Sequence, residues 1–91
     1  MDYADDLFKN KIMFFGFMKE KYPFFYKSNI FFRDIQYSVM RYFEKKNIKI
    51  KYALAEKITT NLLEKLVKDE SLIKIDNKSF KVNFLVENEV S

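Results

Sequence analysis

Aromatic residues are concentrated at the amino-terminal end of this 91-residue sequence. Fifteen of its 17 Phe and Tyr residues fall within the first 52 positions. Each aromatic side chain buries a large area, whereas a chain of this length buries only about 60–65% of the surface that its unfolded form exposes. So many rings do not all fit inside so small a core, and we expect some of them to lie on a surface that contacts a partner.

The composition restricts the chemistry that the chain can carry out. It contains no Cys and no His, which excludes disulfide bonds, zinc ligation by thiolate or imidazole, and Cys–His or histidine acid–base catalysis. The carboxylates do not have the spacing of a calcium loop, and a single glycine cannot form a phosphate-binding glycine loop. We therefore expect a protein that is not an enzyme and that uses neither a metal nor a cofactor.

The sequence shows no sign of targeting to a membrane. Its first residues include Asp2, Asp5 and Asp6, whereas a signal peptide begins with basic residues. The longest uninterrupted apolar run, residues 12–18, has seven residues, and a membrane-spanning helix needs about 20. We expect a soluble, cytoplasmic protein without membrane contact.

Apolar residues recur at helical spacing in three segments of what we expect to be a single domain. The predicted helices cover residues 4–22, 30–46 and 52–69. The first ends before Pro23, because proline disfavours the helical conformation of the preceding residue. Ser28 or Asn29 can cap the second, and Asn47 is a plausible stop for it.

Two further segments alternate between polar and apolar residues, which is the period of a strand. Residues 47–51 predict one short, half-buried strand. Residues 72–86 alternate around the turn Asp76–Ser79 and predict an antiparallel hairpin. The sequence therefore predicts an α+β protein with the element order α-α-β-α-β-β, in which three helices precede a C-terminal hairpin.

This order resembles the winged-helix family. The resemblance rests on residues 62–75, in which a helix with a Leu-x-x-Leu stripe passes through a turn into a strand that starts with Leu72 and Ile73. It implies that the third helix is a recognition helix and that the hairpin tip is a wing. The nucleic-acid-binding positions that it implies are Lys57, Thr60, Asn61, Lys65 and Lys68 on the helix and Lys74, Lys78 and Lys81 on the wing.

The sequence also departs from the pattern of that family. Glu70 and Ser71 occupy the place where the family often has a glycine before the first wing strand. The candidate recognition face carries Glu56 and Glu64 and no Arg, although Arg is the commonest side chain in specific contacts to guanine. The sequence therefore favours phosphate contacts over the reading of a specific duplex sequence.

Positive charge is concentrated in the middle of the chain. Residues 9–81 contain all 17 Lys and Arg residues and eight acidic ones, an excess of nine positive charges that can attract phosphate backbones. The densest group, which we call the connector cluster, is Arg41, Lys45, Lys46, Lys49 and Lys51, flanked by Tyr37, Tyr42 and Tyr52. Basic residues interleaved with rings suit single-stranded nucleic acid such as single-stranded DNA. The alternative is that Tyr42 faces the core and the lysines only solvate a helix end.

The aromatic excess predicts a protein-binding surface on the first helix and on the loop after it. Met13 and Phe17 lie on the side opposite the apolar face of that helix, where we expect them to pack on each other in the open. The candidate partner-binding residues are Met13, Phe14, Phe17, Phe24, Phe25 and Tyr26. Aromatic residues dominate the energetics of many interfaces, so this surface suits a larger protein partner, and a homodimer through the first helix is the alternative.

The two surfaces together predict an accessory or adaptor protein that binds a larger protein and nucleic acid. The chain resembles small winged-helix companions of DNA polymerases and helicases on bacterial mobile elements, which implies a role in DNA replication of such an element or of a phage. A winged-helix transcription regulator or a phage inhibitor of a host protein is the alternative.

Overall fold

The computed structural model describes residues 2–84, which form four helices and a three-stranded antiparallel sheet. The elements are α1 (Tyr3–Lys9), α2 (Lys11–Lys21), β1 (Asn29–Phe31), α3 (Phe32–Glu44), α4 (Tyr52–Lys68), β2 (Leu72–Lys74) and β3 (Ser79–Val82). The protein is thus α+β with an antiparallel sheet, as the sequence predicted. The last residues of the predicted hairpin, 85–86, lie outside the described part of the chain.

The predicted first helix is in fact two helices that meet at Asn10. Asn10 leaves the helical region (φ −111°, ψ 32°), and its side-chain amide donates a hydrogen bond of 2.9 Å to the carbonyl oxygen of Asp6. Asparagine favours such breaks because its side chain competes for backbone hydrogen bonds. The bend changes which residues face inward, so that Ile12, expected on the buried face, is 70% exposed.

The position of the first strand was predicted wrongly. Residues 48–50 form no strand, although Ile50 is buried and Ile48 half-buried, so the alternation predicted burial without predicting strand pairing. The strand lies instead at Asn29–Phe31, where the start of a helix was expected. Ile30 pairs there with Phe80 of the hairpin, and this long-range pairing prevails over the local capping signal of Ser28 and Asn29.

The sheet has the strand order β1-β3-β2, with both neighbours antiparallel to β3. Alternate residues point to opposite faces, and the buried face carries Ile30, Phe80, Leu72 and Val82. Lys81 pairs with Asn29 on one side and with Ile73 on the other, which places all three on the outer face. One face of the sheet therefore covers the core, while the other is open to solvent.

The core is a single cluster to which every helix and strand contributes. The predicted inward stripe of α4, formed by Ala55, Ile58, Leu62 and Leu66, is buried, as expected from its spacing of three and four residues. The helix is continuous through residues 59–61, and the hydroxyl of Thr60 donates a hydrogen bond of 3.0 Å to the carbonyl oxygen of Glu56.

The start of α2 is tied to the end of α4 by an ion pair between Lys11 and Asp69. Burial alone would raise the pKa of the Asp69 carboxyl, but hydrogen bonds from Lys11 and Ser71 outweigh burial and hold that pKa below its usual value. A lowered pKa in the folded state contributes stability at pH values above the unfolded pKa of 3.8. That contribution disappears as the pH falls through the lower, folded value.

Glu70, the residue after the cap of α4, has a left-handed backbone conformation with φ of 67°. Glycine is the usual residue at this position of a helix end, because a side chain makes the left-handed region unfavourable. Glu70 is therefore strained at the place where the winged-helix resemblance would have predicted a glycine.

We expect Glu70→Gly to raise the free energy of unfolding by about 1 kcal/mol, because glycine adopts a positive φ without steric cost. Urea denaturation followed by circular dichroism measures this change. Lys68→Gly is the matched control, since Lys68 is still helical and glycine there should lower the free energy of unfolding by about 1 kcal/mol. A loss of stability in both variants would contradict the assignment of strain to Glu70.

Candidate nucleic-acid interface

The connector cluster lies on the surface where the chain passes from α3 to α4. Asn47 has a φ of 64°, and the N–H groups of Asn47 and Ile48 donate hydrogen bonds of 2.9 Å to the carbonyl oxygens of Glu44 and Phe43. This pattern ends α3 and reverses the chain, as the sequence indicated for Asn47. All five basic side chains of the cluster are exposed, and none forms an ion pair with a carboxylate of residues 2–84.

Part of the cluster lines a groove of about 770 Å³, which we call the basic groove. Its walls come from the C-terminal end of α2, from α3 and from the connector. The lining residues are Lys21, Tyr22, Tyr37, Met40, Arg41, Glu44, Asn47, Ile48, Lys49 and Ile50. Lys21, Arg41 and Lys49 therefore converge on one concave surface, on which Glu44 is the one carboxylate contributed by residues 2–84.

Two lysines of the connector cluster lie against aromatic rings rather than in this groove. The ammonium of Lys45 is 5.1 Å from the centroid of the Phe17 ring, and that of Lys46 is 4.5 Å from the centroid of the Tyr42 ring. Lys46 also donates a hydrogen bond of 3.3 Å to the Tyr42 hydroxyl. Tyr42 itself is buried against Phe14, so it faces the core and offers no ring for stacking, in agreement with the alternative stated from the sequence.

Tyr37 and Tyr52 form an exposed aromatic pair beside the basic groove. Their ring centroids are 6.3 Å apart with an edge-to-face angle of 64°, and the exposed fractions of the two residues are 39% and 55%. The side-chain amide of Gln36 donates a hydrogen bond of 3.3 Å to the carbonyl oxygen of Tyr52, which ties the start of α4 to α3. These rings, unlike that of Tyr42, are accessible to a ligand.

A second groove of about 430 Å³ separates α4 from the hairpin. It is lined by Phe32, Thr60, Leu63, Glu64, Val67, Lys68, Lys74, Asn77 and Phe80. Of the positions implied by the winged-helix resemblance, Thr60, Lys68 and Lys74 converge here, together with the carboxylate of Glu64.

The other implied positions are dispersed. Lys57 and Asn61 are exposed on α4 without lining either groove, and Lys65 is half-buried. Lys51, which belongs to the connector cluster, is exposed at the cap of α4. Lys78 lies with Arg33 in a smaller cleft beneath the hairpin tip, and Lys81 lies on the outer face of the sheet. The structure thus divides the predicted nucleic-acid-binding residues among several surfaces.

The predicted partner surface needs correction at three residues. Phe14 and Phe24 are buried in the core, with exposed fractions of 0% and 1%, and offer nothing to a partner. Phe17 does not stack on Met13 in the open; its ring packs edge-to-face on Tyr42 at 5.6 Å and is half-buried. The reason is that α3 packs along the side of α2 on which Phe17 lies, a tertiary contact that periodicity does not predict.

The remaining predicted partner residues are on the surface. Met13, Phe25 and Tyr26 are 65%, 55% and 42% exposed, and Ile12, which the sequence placed in the core, joins them. We call Ile12, Met13, Phe25 and Tyr26 the exposed apolar surface. The ammonium of Lys19, near the C-terminal end of α2, lies 5.3 Å from the centroid of the Phe25 ring.

A strained turn presents Phe25 and Tyr26 to solvent. The carbonyl oxygen of Phe25 accepts hydrogen bonds from the backbone N–H of Ser28 at 2.9 Å and from the Ser28 hydroxyl at 2.7 Å. Lys27, within this turn, has a φ of 70°, a conformation that side chains make unfavourable. Ser28 therefore closes the turn instead of capping a helix.

Lys21 and Tyr22 are the groove residues that sequence reasoning missed. They are about 20 positions before Arg41 in the chain, so no local pattern connects them to the connector cluster. Helix packing of α2 against α3 brings them together. No spacing or periodicity in the sequence indicates this contact.

Comparisons with protein-family models, with curated proteins and with solved structures found no match. Within residues 2–84, no group of three or more acidic side chains is placed to hold a metal ion. No helix in the same range has the length and apolar character needed to cross a membrane. The surfaces described above are therefore the candidate functional features of the protein.

Truncation of Met13 and of Phe17 should affect stability differently. We expect Phe17→Ser to lower the free energy of unfolding by about 2 kcal/mol, because it removes a half-buried ring from its packing on Tyr42. Met13→Ser should change it by no more than about 0.5 kcal/mol, because Met13 is largely exposed. Chemical denaturation of both variants tests this, and equal losses would show that Met13 is packed in solution.

Proposed function

We propose that this protein is a winged-helix adaptor without enzymatic activity, which binds nucleic acid through its basic groove and a larger protein through its exposed apolar surface. The strand topology supports the winged-helix assignment. β1 precedes α3 and pairs with β3, and the hairpin directly follows α4, which gives the sheet order β1-β3-β2. The hairpin after α4 occupies the place of the wing in the resemblance stated from the sequence, whereas β1 lies before α3 and not between the last two helices as that order had it. Fold alone does not decide function, so the proposed function depends on the surfaces.

The nucleic-acid arm of the proposal is the binding of nucleic acid through the basic groove. It rests on the convergence of Lys21, Arg41 and Lys49 in that groove. Two of these cations come from the connector cluster and one from a distant helix, and no carboxylate of residues 2–84 forms an ion pair with any of them. A phosphate backbone supplies negative charge at regular spacing and releases its counterions when such cations bind it.

The protein-binding arm of the proposal is the binding of a larger protein. It rests on the four residues of the exposed apolar surface. Contiguous patches of exposed apolar side chains mark contact surfaces, and a few anchor residues, aromatic ones prominent among them, supply most of the binding energy there. Gly16 adds to this argument. It lies in the interior of α2, where glycine costs about 1 kcal/mol relative to alanine, and an added Cβ would meet no atom of residues 2–84 within 4 Å. No neighbour in that part of the chain requires a glycine there, whereas a closely approaching partner would.

The process that we propose is DNA replication of a bacterial mobile element or phage, with a polymerase or helicase as the larger partner. This proposal depends on the resemblance stated from the sequence. A transcription regulator is the second candidate, because α4 exposes Lys57, Thr60 and Asn61 on one side. The same exposed side also carries Glu56 and Glu64, which would repel duplex phosphates, so this candidate is the weaker one.

Binding of nucleic acid should depend steeply on salt. We expect a fluorescein-labelled DNA oligonucleotide to bind at about 50 mM salt, with a logarithm of the binding constant that falls linearly with the logarithm of the salt concentration. Fluorescence anisotropy measures this, with single-stranded and duplex forms tested separately. Absence of binding to both forms at low salt would overturn the nucleic-acid arm.

Complex formation with a protein should depend on the exposed apolar surface. We expect Met13→Ser combined with Phe25→Ser to abolish co-purification of a partner from the native host, because exposed aromatic and methionine anchors carry most of the energy at such interfaces. The matched control is Ile73→Ser, which removes an exposed apolar side chain from the outer face of the sheet. Equal co-purification with all three proteins would overturn the protein-binding arm, and circular dichroism confirms that each variant is folded.

A further inference from the structure

The basic groove contains groups that suit the two components of a nucleotide chain. Its three cations, Lys21, Arg41 and Lys49, can neutralise phosphates. Beside them, Tyr37 lines the groove and contacts Tyr52 edge-to-face, so that ring surface remains open at its rim. Charge and ring surface are therefore adjacent, which is the combination that binds a single strand by backbone neutralisation and base stacking.

Glu44 and Asn47 help to decide between a single strand and a duplex. Both line the groove among the cations. A duplex presents only its phosphates to a groove of this kind, because its base edges are paired or lie within its own grooves, so it offers Glu44 and Asn47 no base to contact. A single strand also presents unpaired base edges, where a carboxylate accepts hydrogen bonds from exocyclic amino groups and an asparagine amide both donates and accepts.

We infer that the basic groove is a site for single-stranded nucleic acid, in which Lys21, Arg41 and Lys49 contact the backbone and Tyr37 and Tyr52 stack on bases. This inference rests on the nucleic-acid arm of the proposed function and specifies its ligand. The volume of about 770 Å³ is within the usual range for ligand sites, about 300–1,000 Å³, so the groove itself holds a short stretch of the strand. Bases on either side of it reach the two tyrosines.

The test compares two double variants by fluorescence anisotropy on a single strand of about 12 nucleotides, as DNA and as RNA, and on the matching DNA duplex. Arg41→Ala with Lys49→Ala should lower the single-strand affinity at least about tenfold at 50 mM salt and reduce the salt slope by about 1.4, the value for two lost phosphate contacts. Lys9→Ala with Arg33→Ala removes the same charge elsewhere and should lower affinity less than about threefold.

The stacking component has its own matched pair of variants. Tyr37→Leu should lower the single-strand affinity about 5- to 100-fold, because loss of one aromatic platform removes one stacked base. Tyr37→Phe keeps the ring and should stay within about twofold of the unmodified protein. Neither variant should alter duplex affinity by a comparable factor. Thermal unfolding of each variant verifies that its fold is retained.

The possible failures can be told apart. If no oligonucleotide binds at low salt, the proposed nucleic-acid function and this inference both fail. If oligonucleotides bind but the two double variants weaken binding equally, or only duplex affinity falls, the inference fails while the function stands. Displacement of the single strand by an equally charged polyglutamate peptide at the same concentration would assign the groove to acidic protein segments and would also overturn the inference.

Discussion

The packing of rings between α2 and α3 is the interaction on which the rest of the structure depends. Phe14 and Phe17 of α2 both contact the ring of Tyr42 edge-to-face with centroids 5.6 Å apart, and Tyr42 in turn contacts Phe43. Aromatic pairs in this geometry add to the free energy gained from burial alone. Because this contact fixes α2 against α3, it also brings Lys21 to Arg41 and so forms the basic groove.

The sheet provides the second constraint. β3 lies between β1 and β2, so the segment before α3 and the hairpin at the end of the chain are held together by backbone hydrogen bonds. This pairing places the turn that carries Phe25 and Tyr26 next to the end of β3, where the N–H of Lys27 donates a hydrogen bond of 2.7 Å to the carbonyl oxygen of Val82. The turn that carries Phe25 and Tyr26 and the basic groove are therefore separate surfaces of the same domain.

The sequence predicted much of the fold and only part of the candidate site. Helical spacing identified α3 and α4, and alternation identified the hairpin, because both signals are local. The strand at Asn29–Phe31 was missed because its partner, β3, lies about 50 residues away. For the same reason, the cations of the connector cluster were found from their density, whereas Lys21 and Tyr22, supplied by another helix, were not.

The aromatic residues show which properties of this protein the sequence determines and which depend on tertiary contacts. The sequence alone determined that the rings outnumber what the core readily accepts, since composition sets how much apolar area must be buried. It did not determine which rings remain outside. Phe14, Phe17 and Phe24 became core or half-buried residues, whereas Met13, Phe25 and Tyr26 remained exposed, because the bend at Asn10 and the packing of α3 decide which side of each element faces a neighbour. Burial depends on contacts between distant segments, and only the folded chain specifies those contacts.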